Sequence, residues 1–227
     1  MKERLEQLLK TIVDEYVVSA APVASLFLAQ KMPDAPSSAT IRNDMAELES
    51  AGYIAQPHTS AGRIPTTLGY QYYVEHFVDN IGLKKNVQKQ IDLLMSSTSD
   101  RRDVLKTLAR VISELTNEAV ILAFEKNDIY YTGLSELFSK PEFSQQNLVV
   151  DVSRVIDSLE PVVQKMFDSV AETKVLLGDQ CPFGAVCGSV VTSFDFQKHG
   201  RVLISVVGPL RMDYNFNFNL LNYIENK

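Results

Sequence analysis

The sequence predicts an α+β protein in two parts, and three observations carry that prediction. Residues 1–82 read as helix, short helix, turn and capped helix, stopped at Gly52 and running straight into a hairpin. Residues 119–227 mix strand-length apolar runs with helical stretches and include at least one antiparallel pair. Residues 83–118 lie between them as two amphipathic helices, a helical linker.

The N-terminal part is built as follows. Leu5, Leu8, Leu9, Ile12, Val13 and Tyr16 form one helical face from Lys2 to about Tyr16, and Pro22 suits the first turn of a shorter helix through Lys31. Pro33 and Pro36 break the chain. Ser37 or Ser38 can then cap a helix whose Ile41, Met45 and Leu48 share one buried stripe, and Gly52 supplies its left-handed stop. Tyr53 to Pro57, His58 to Gly62 and Arg63 to Pro65 follow as strand, polar tip and return strand. That order is a winged helix-turn-helix, and it points to DNA.

The candidate contacts follow from the faces. Thr40, Asn43 and Glu47 lie opposite the buried stripe, with Arg42 to one side and Ser38 at the helix start. An Arg can fork onto guanine and an Asn onto adenine, each pairing worth ~1 to 3 kcal/mol of discrimination. His58, Thr59 and Ser60 form the wing tip, and Arg63 near it would meet a phosphate or a minor groove. An ordinary hairpin with one exposed Arg is the plainer alternative.

Thr66 can cap the next helix through Asn80, with Tyr70, Tyr73, Val74, Phe77 and Ile81 on its inner side. Helical aromatics are read as packing rather than as base stackers. Within the linker, broken at Ser96 to Ser99, Val104, Leu108, Val111 and Leu115 make a stripe that Leu105 and Ile112 widen. The pattern leaves two uses open, a helix laid on its own sheet or a dimer seam. Strands are expected at Ala119 to Glu125, Ile129 to Gly133, Lys174 to Leu177, Gly188 to Phe194 and Arg201 to Val207. Helix is expected between Ser144 and Ala171, and Lys198, His199 and Gly200 read as a hairpin tip. The stretch after Arg211 reads as a helix from its length, with its five Asn solvated and Asp213 forming a salt bridge that fixes it.

Composition narrows the function. At 227 residues and 45% hydrophobic content the chain can bury a core, and no apolar stretch reaches the ~18 residues of a membrane span. Cys181 and Cys187 are too far apart for a C-x-x-C pair, which suits a reducing cytoplasm. His58, His76 and His199 are scattered and no phosphate-loop, dinucleotide or H-E-x-x-H motif occurs, so no enzyme, metal or cofactor is expected. Residues 1–82 carry six Lys or Arg against ten Asp or Glu, an acidic balance for a DNA-binding module. Each module should bind weakly, and a homodimer on a palindromic operator is expected to compensate.

The segment SSATIRNDMAELESAGYIAQPHTSAGRIPTTLGYQYYV, from Ser37 to Val74, resembles the heat-inducible transcription repressor family, HrcA. LSELFSKPEF from Leu134 to Phe143 and VVGPLRMDY from Val206 to Tyr214 resemble its central and closing segments. The resemblance implies a cytoplasmic bacterial repressor that binds an inverted-repeat operator upstream of chaperone operons and whose activity the chaperonin modulates. It also implies that residues 119–227 are similar to the GAF sensor fold. Relatives carry basic residues on the second helix, where this chain has Leu26, Phe27 and Gln30. They also interrupt the α+β domain with a dimerising insertion, where only Glu125 to Asp128 stand here, so dimerisation is expected to use the linker helices or the remaining sheet. Two other functions fit the same elements: a regulator whose α+β domain senses a small molecule, and a winged helix used for protein contacts.

Overall fold

The computed structural model describes residues 1–33, 36–59, 61–97, 99–144, 157, 159–196 and 200–227. The expected contact Ser60, the tip residues Lys198 and His199, and most of the expected helix after Ser144 lie outside the described residues. The chain divides into two compact units, Met1–Val78 and Asp79–Lys227. The break falls ahead of Gly82, and the helices expected as a linker belong to the second unit.

In the first unit, α1 (Glu3–Ser19) buries Leu5, Leu8, Leu9, Ile12 and Val13 and ends on left-handed Ala20. Helix α2 (Ser25–Lys31) begins after Pro22 rather than on it, because Val23 is used as a strand residue. Helix α3 (Ser38–Ser50) is capped by Ser37, whose hydroxyl accepts from the Thr40 amide at 3.1 Å. Its far end closes in a Schellman arrangement: Gly52 N–H donates to Glu49 O at 2.9 Å and Tyr53 N–H to Leu48 O at 3.0 Å, with Gly52 at φ 81°.

Strands β1 (Ile54–Ala55) and β2 (Ile64–Pro65) pair antiparallel, and Val23 adds a third rung through two backbone bonds to Arg63 at 2.8 and 2.9 Å. Gly62 is required there, since a Cβ would stand 2.3 Å from the Val23 carbonyl oxygen. Helix α4 (Thr67–Phe77) is capped by Thr66, which also donates to Gly52 O at 2.6 Å and so ties the helix to the end of α3. It stops before Asn80, and Ile81 is exposed rather than inward. Tyr70 and Tyr73 are buried, while Tyr72 and Tyr73 donate to Glu6 and Asp14 of α1, each at 2.7 Å. These tyrosines are packing and bracing residues.

In the second unit, the described residues form one antiparallel sheet in the order β4-β3-β7-β6-β5. The strands are β3 (Ala119–Glu125), β4 (Asp128–Thr132), β5 (Lys174–Leu177), β6 (Cys187–Asp195) and β7 (Arg201–Pro209). Residues Ala119, Ile121, Ala123, Val191, Leu203 and Val207 point to one face, against Leu137 of α7 (Leu134–Phe138), Phe143, and Val163 and Met166 of α8 (Leu159–Ser169). The alternate residues, among them Val120, Leu122, Val190, Ile204 and Val206, are equally buried on the other face. There the sheet meets α6 (Arg101–Thr116) and the C-terminal helix α9 (Tyr214–Glu225), whose Glu225 accepts from Thr192 at 2.8 Å. Covering on both faces explains why the strands read as continuous apolar runs rather than as an alternation.

The α6 stripe takes the first of the two uses its pattern left open, and two details differ from expectation. Val104 and Leu108 are buried, with Leu105 and Ile112, where α6 lies on β3, while Val111 and Leu115 are half-buried. The sheet has therefore taken the centre of the stripe that a dimer seam would need. Asp213 caps α9 by accepting from Phe216 N–H at 2.9 Å, and the salt bridge runs instead from Arg211 to Glu142. The tail asparagines are not all solvated: Asn217 and Asn219 are buried, and Asn219 accepts from Gly82 N–H at 2.8 Å and donates to Asp79 O at 2.9 Å.

Candidate nucleic-acid interface

Helix α3 presents two chemically distinct faces. Ile41, Met45 and Leu48 are buried, while Arg42, Asn43 and Glu47 are exposed and Ser38 and Thr40 half-buried. The 3.6-residue repeat separates the two sets, and the Ser37 cap fixes where the polar face begins. Asp44 points inward and is buried, its Oδ1 2.7 Å from Arg4 and its Oδ2 without a hydrogen bond. The Arg42 Nε lies 3.4 Å from Ser25 Oγ, so α2 steadies it from one side.

The hairpin between β1 and β2 is held from within. Gln56 Nε2 donates to Thr59 O and Ala61 O, both at 3.0 Å, leaving His58 and Thr59 exposed at the tip. Arg63 directly precedes β2 on the tip side of the hairpin, but its side chain is turned to α3: its backbone is bonded to Val23 and its Nε and Nη2 donate to Glu49 Oε2 at 3.0 and 2.7 Å.

The acidic balance has a structural counterpart in ion pairs. Lys2 pairs with Glu47, Arg4 with Asp44, Lys10 with Asp14, Lys31 with Glu15 and Arg63 with Glu49. Among the described residues, Arg42 is the cation of this unit that lacks a carboxylate partner. It lines a cleft of about 410 Å³ together with Ser25, Met45, Gln56, Gly62 and Arg63. The expected contacts thus split: Thr40, Arg42, Asn43 and Glu47 share α3, His58 and Thr59 share the tip, and Arg63 is engaged with α3 itself. Ser25, Val23 and Glu49 were not singled out from sequence. A β-branched residue after Pro22 and a Glu in the last turn of a helix were their only signals.

The second unit carries a buried charge cluster where the segments 134–143 and 206–214 meet. Lys140 Nζ is 2.5 Å from Glu118 Oε1, and Arg211 pairs with Glu142. Gly208 packs so closely that a Cβ there would stand 2.2 Å from Glu118 Oε2, which has no hydrogen bond. Burial pushes the Glu118 carboxyl up to about 7, against the opposing pull of Lys140. Cys181 and Cys187 are buried free thiols pushed up to about 11 and about 12 by the same cause, which suits packing rather than reactivity.

A family model described as the HrcA protein C terminal domain matches residues 80–216. The chain belongs to the HrcA family. Curated relatives named heat-inducible transcription repressor HrcA agree: that of Bifidobacterium longum (strain DJO10A) is 41% identical over 115 residues, 51% of this chain and 31% of the relative. That of Carboxydothermus hydrogenoformans is 38% identical over 141 residues, 61% of this chain and 41% of the relative. The matched stretch therefore spans about a third of the length of the first of these HrcA relatives and two fifths of the second. A solved structure described only as a hypothetical protein shares the fold of this HrcA-family chain, with TM-score 0.79 at 18% identity over 100% of this chain and 97% of the other. No helix among the described residues is long and apolar enough to cross a membrane.

Proposed function

We propose that this chain is a sequence-specific transcriptional repressor that binds double-stranded DNA through α3 and the hairpin of a winged helix-turn-helix in residues 1–82. It acts in the cytoplasm as a homodimer on an inverted-repeat operator of heat-shock (chaperone) genes, and chaperonin or heat modulates it. Residues 119–227 are its GAF-like regulatory domain, reached through α5 (Lys85–Met95) and α6. One observation carries the DNA reading: a capped helix with an exposed Arg42, Asn43 and Glu47 face beside a hairpin-lined cleft that holds Arg42, a cation with no carboxylate partner among the described residues. The relatives' name supports repression and the response to heat.

The residues Ser38, Thr40, Arg42, Asn43 and Glu47 read base edges, while His58, Thr59 and Ser60 meet the backbone. Light scattering with and without a duplex carrying the promoter region tests the whole reading at once. Two chains per operator, with random fragments competing far less well than the operator, is the expected result. Equal binding to random fragments refutes it.

A second reading, regulation by a small anionic ligand, is favoured by a cleft of about 450 Å³ in the second unit. Arg101, Lys126, Arg201, Phe124 and Phe167 line it, and Arg101 Nε is buried without a hydrogen bond. A ligand acting there would shift melting temperature and operator affinity together.

A further inference from the structure

Glu49 occupies a position in α3 that local physics disfavours. It lies in the last turn, where the helix dipole opposes a negative charge, and that turn contains no basic residue. Its Oε2 accepts from both Nε and Nη2 of Arg63, and the two side chains are only 35% and 20% exposed. Solvent and salt screen such a pair less than one standing free on the surface. The Arg63 backbone is held by Val23, and Gly62 beside it packs against Val23 with no space for a Cβ. The guanidinium can thus exchange partners while the hairpin stays in place. Arg42 lines the same cleft.

We propose that Glu49 is an internal stand-in for a DNA phosphate. In the free protein it occupies Arg63; on binding, a phosphodiester oxygen of duplex DNA entering the cleft between Arg42 and Arg63 displaces it. This rests on the DNA-binding reading above and names the residue that sets the affinity of that site. The exchange also predicts an unusual salt response. A free cation that neutralises a phosphate steepens the slope of log affinity against log salt by about 0.9, whereas a carboxylate released in the same step takes up a cation and cancels most of that gain.

Anisotropy titration of a random-sequence DNA duplex with the full chain, repeated across salt concentrations, tests the exchange. Glu49→Gln is expected to bind several-fold more tightly at low salt with a slope steeper by about 0.9, so its advantage shrinks about 3.5-fold for each fourfold rise in salt. Glu75→Gln removes the same charge from the exposed side of α4 and should leave the slope unchanged. On an Arg63→Ala background, Glu49→Gln should add nothing, because the two residues act as one pair. If Glu49→Gln matches the parent, or Glu75→Gln reproduces its gain, while Arg42→Ala still weakens duplex binding, the exchange is overturned and the DNA-binding reading stands. If no variant binds duplex at all, both are overturned.

Discussion

Replacing Glu118 by Gln tests whether burial or ion pairing governs the charge cluster of the second unit. The carboxyl is 3% exposed and stands at about 7 in the folded chain, against 4.5 for a free glutamate. Between those values the folded state holds a proton that the unfolded state has lost, so the stabilisation is complete below pH 4.5 and disappears as pH rises through about 7. Converted at about 1.4 kcal/mol per pH unit, the rise corresponds to roughly 3 kcal/mol. Gln keeps the shape of the protonated acid at every pH. The variant should match the parent near pH 4.5 and exceed it by about 3 kcal/mol above neutrality. Urea unfolding followed by circular dichroism, fitted for the transition of the second unit at a series of pH values, reads this difference directly. The opposite trend, the parent gaining on Glu118→Gln as pH rises, would mean that the Lys140 contact outweighs desolvation, and the argument would fail.

Other substitutions probe the remaining links. Gly62→Ala puts a methyl 2.3 Å from the Val23 carbonyl oxygen and should cost about 1 to 3 kcal/mol, seen as a lower melting temperature together with weaker duplex binding. Leu108→Ala empties a fully buried site between α6 and the sheet and should cost about 2 to 5 kcal/mol without changing the molar mass in light scattering. A dimer that dissociates would restore α6 as the seam. Asn43→Ala should relax preference at one base pair by about 1 to 3 kcal/mol while binding to random duplex holds, and an equal loss on both would remove Asn43 from the base-reading set.

The elements governed by local signals were legible in the sequence. The Ser37 cap, the buried Ile41, Met45 and Leu48 stripe and the Gly52 stop each act within one or two turns, and they mark α3 without any knowledge of its surroundings. The strands were found because both faces of the sheet are covered and their apolar runs are dense. What was missed depends on partners distant in sequence. Val23 is a strand residue only because Arg63 lies beside it, and Arg63 is a neutralised cation only because Glu49 faces it. Asn217 and Asn219 look like solvated residues until the bonds of Asn219 to Asp79 and Gly82 are known. The α6 stripe was ambiguous for the same reason, since periodicity reports that a face is buried and not what buries it.

The position of β7 bears on how the chain is made. This strand follows the others in the sequence yet sits at the middle of the sheet, paired to β3 on one side and β6 on the other. On the ribosome, Met1–Val78 has all its partners early, whereas the hairpins β3–β4 and β5–β6 have no shared neighbour until Arg201–Pro209 emerges. During that interval two apolar strand edges stand open on the nascent chain, a hazard for self-association that ends only when β7 has been made.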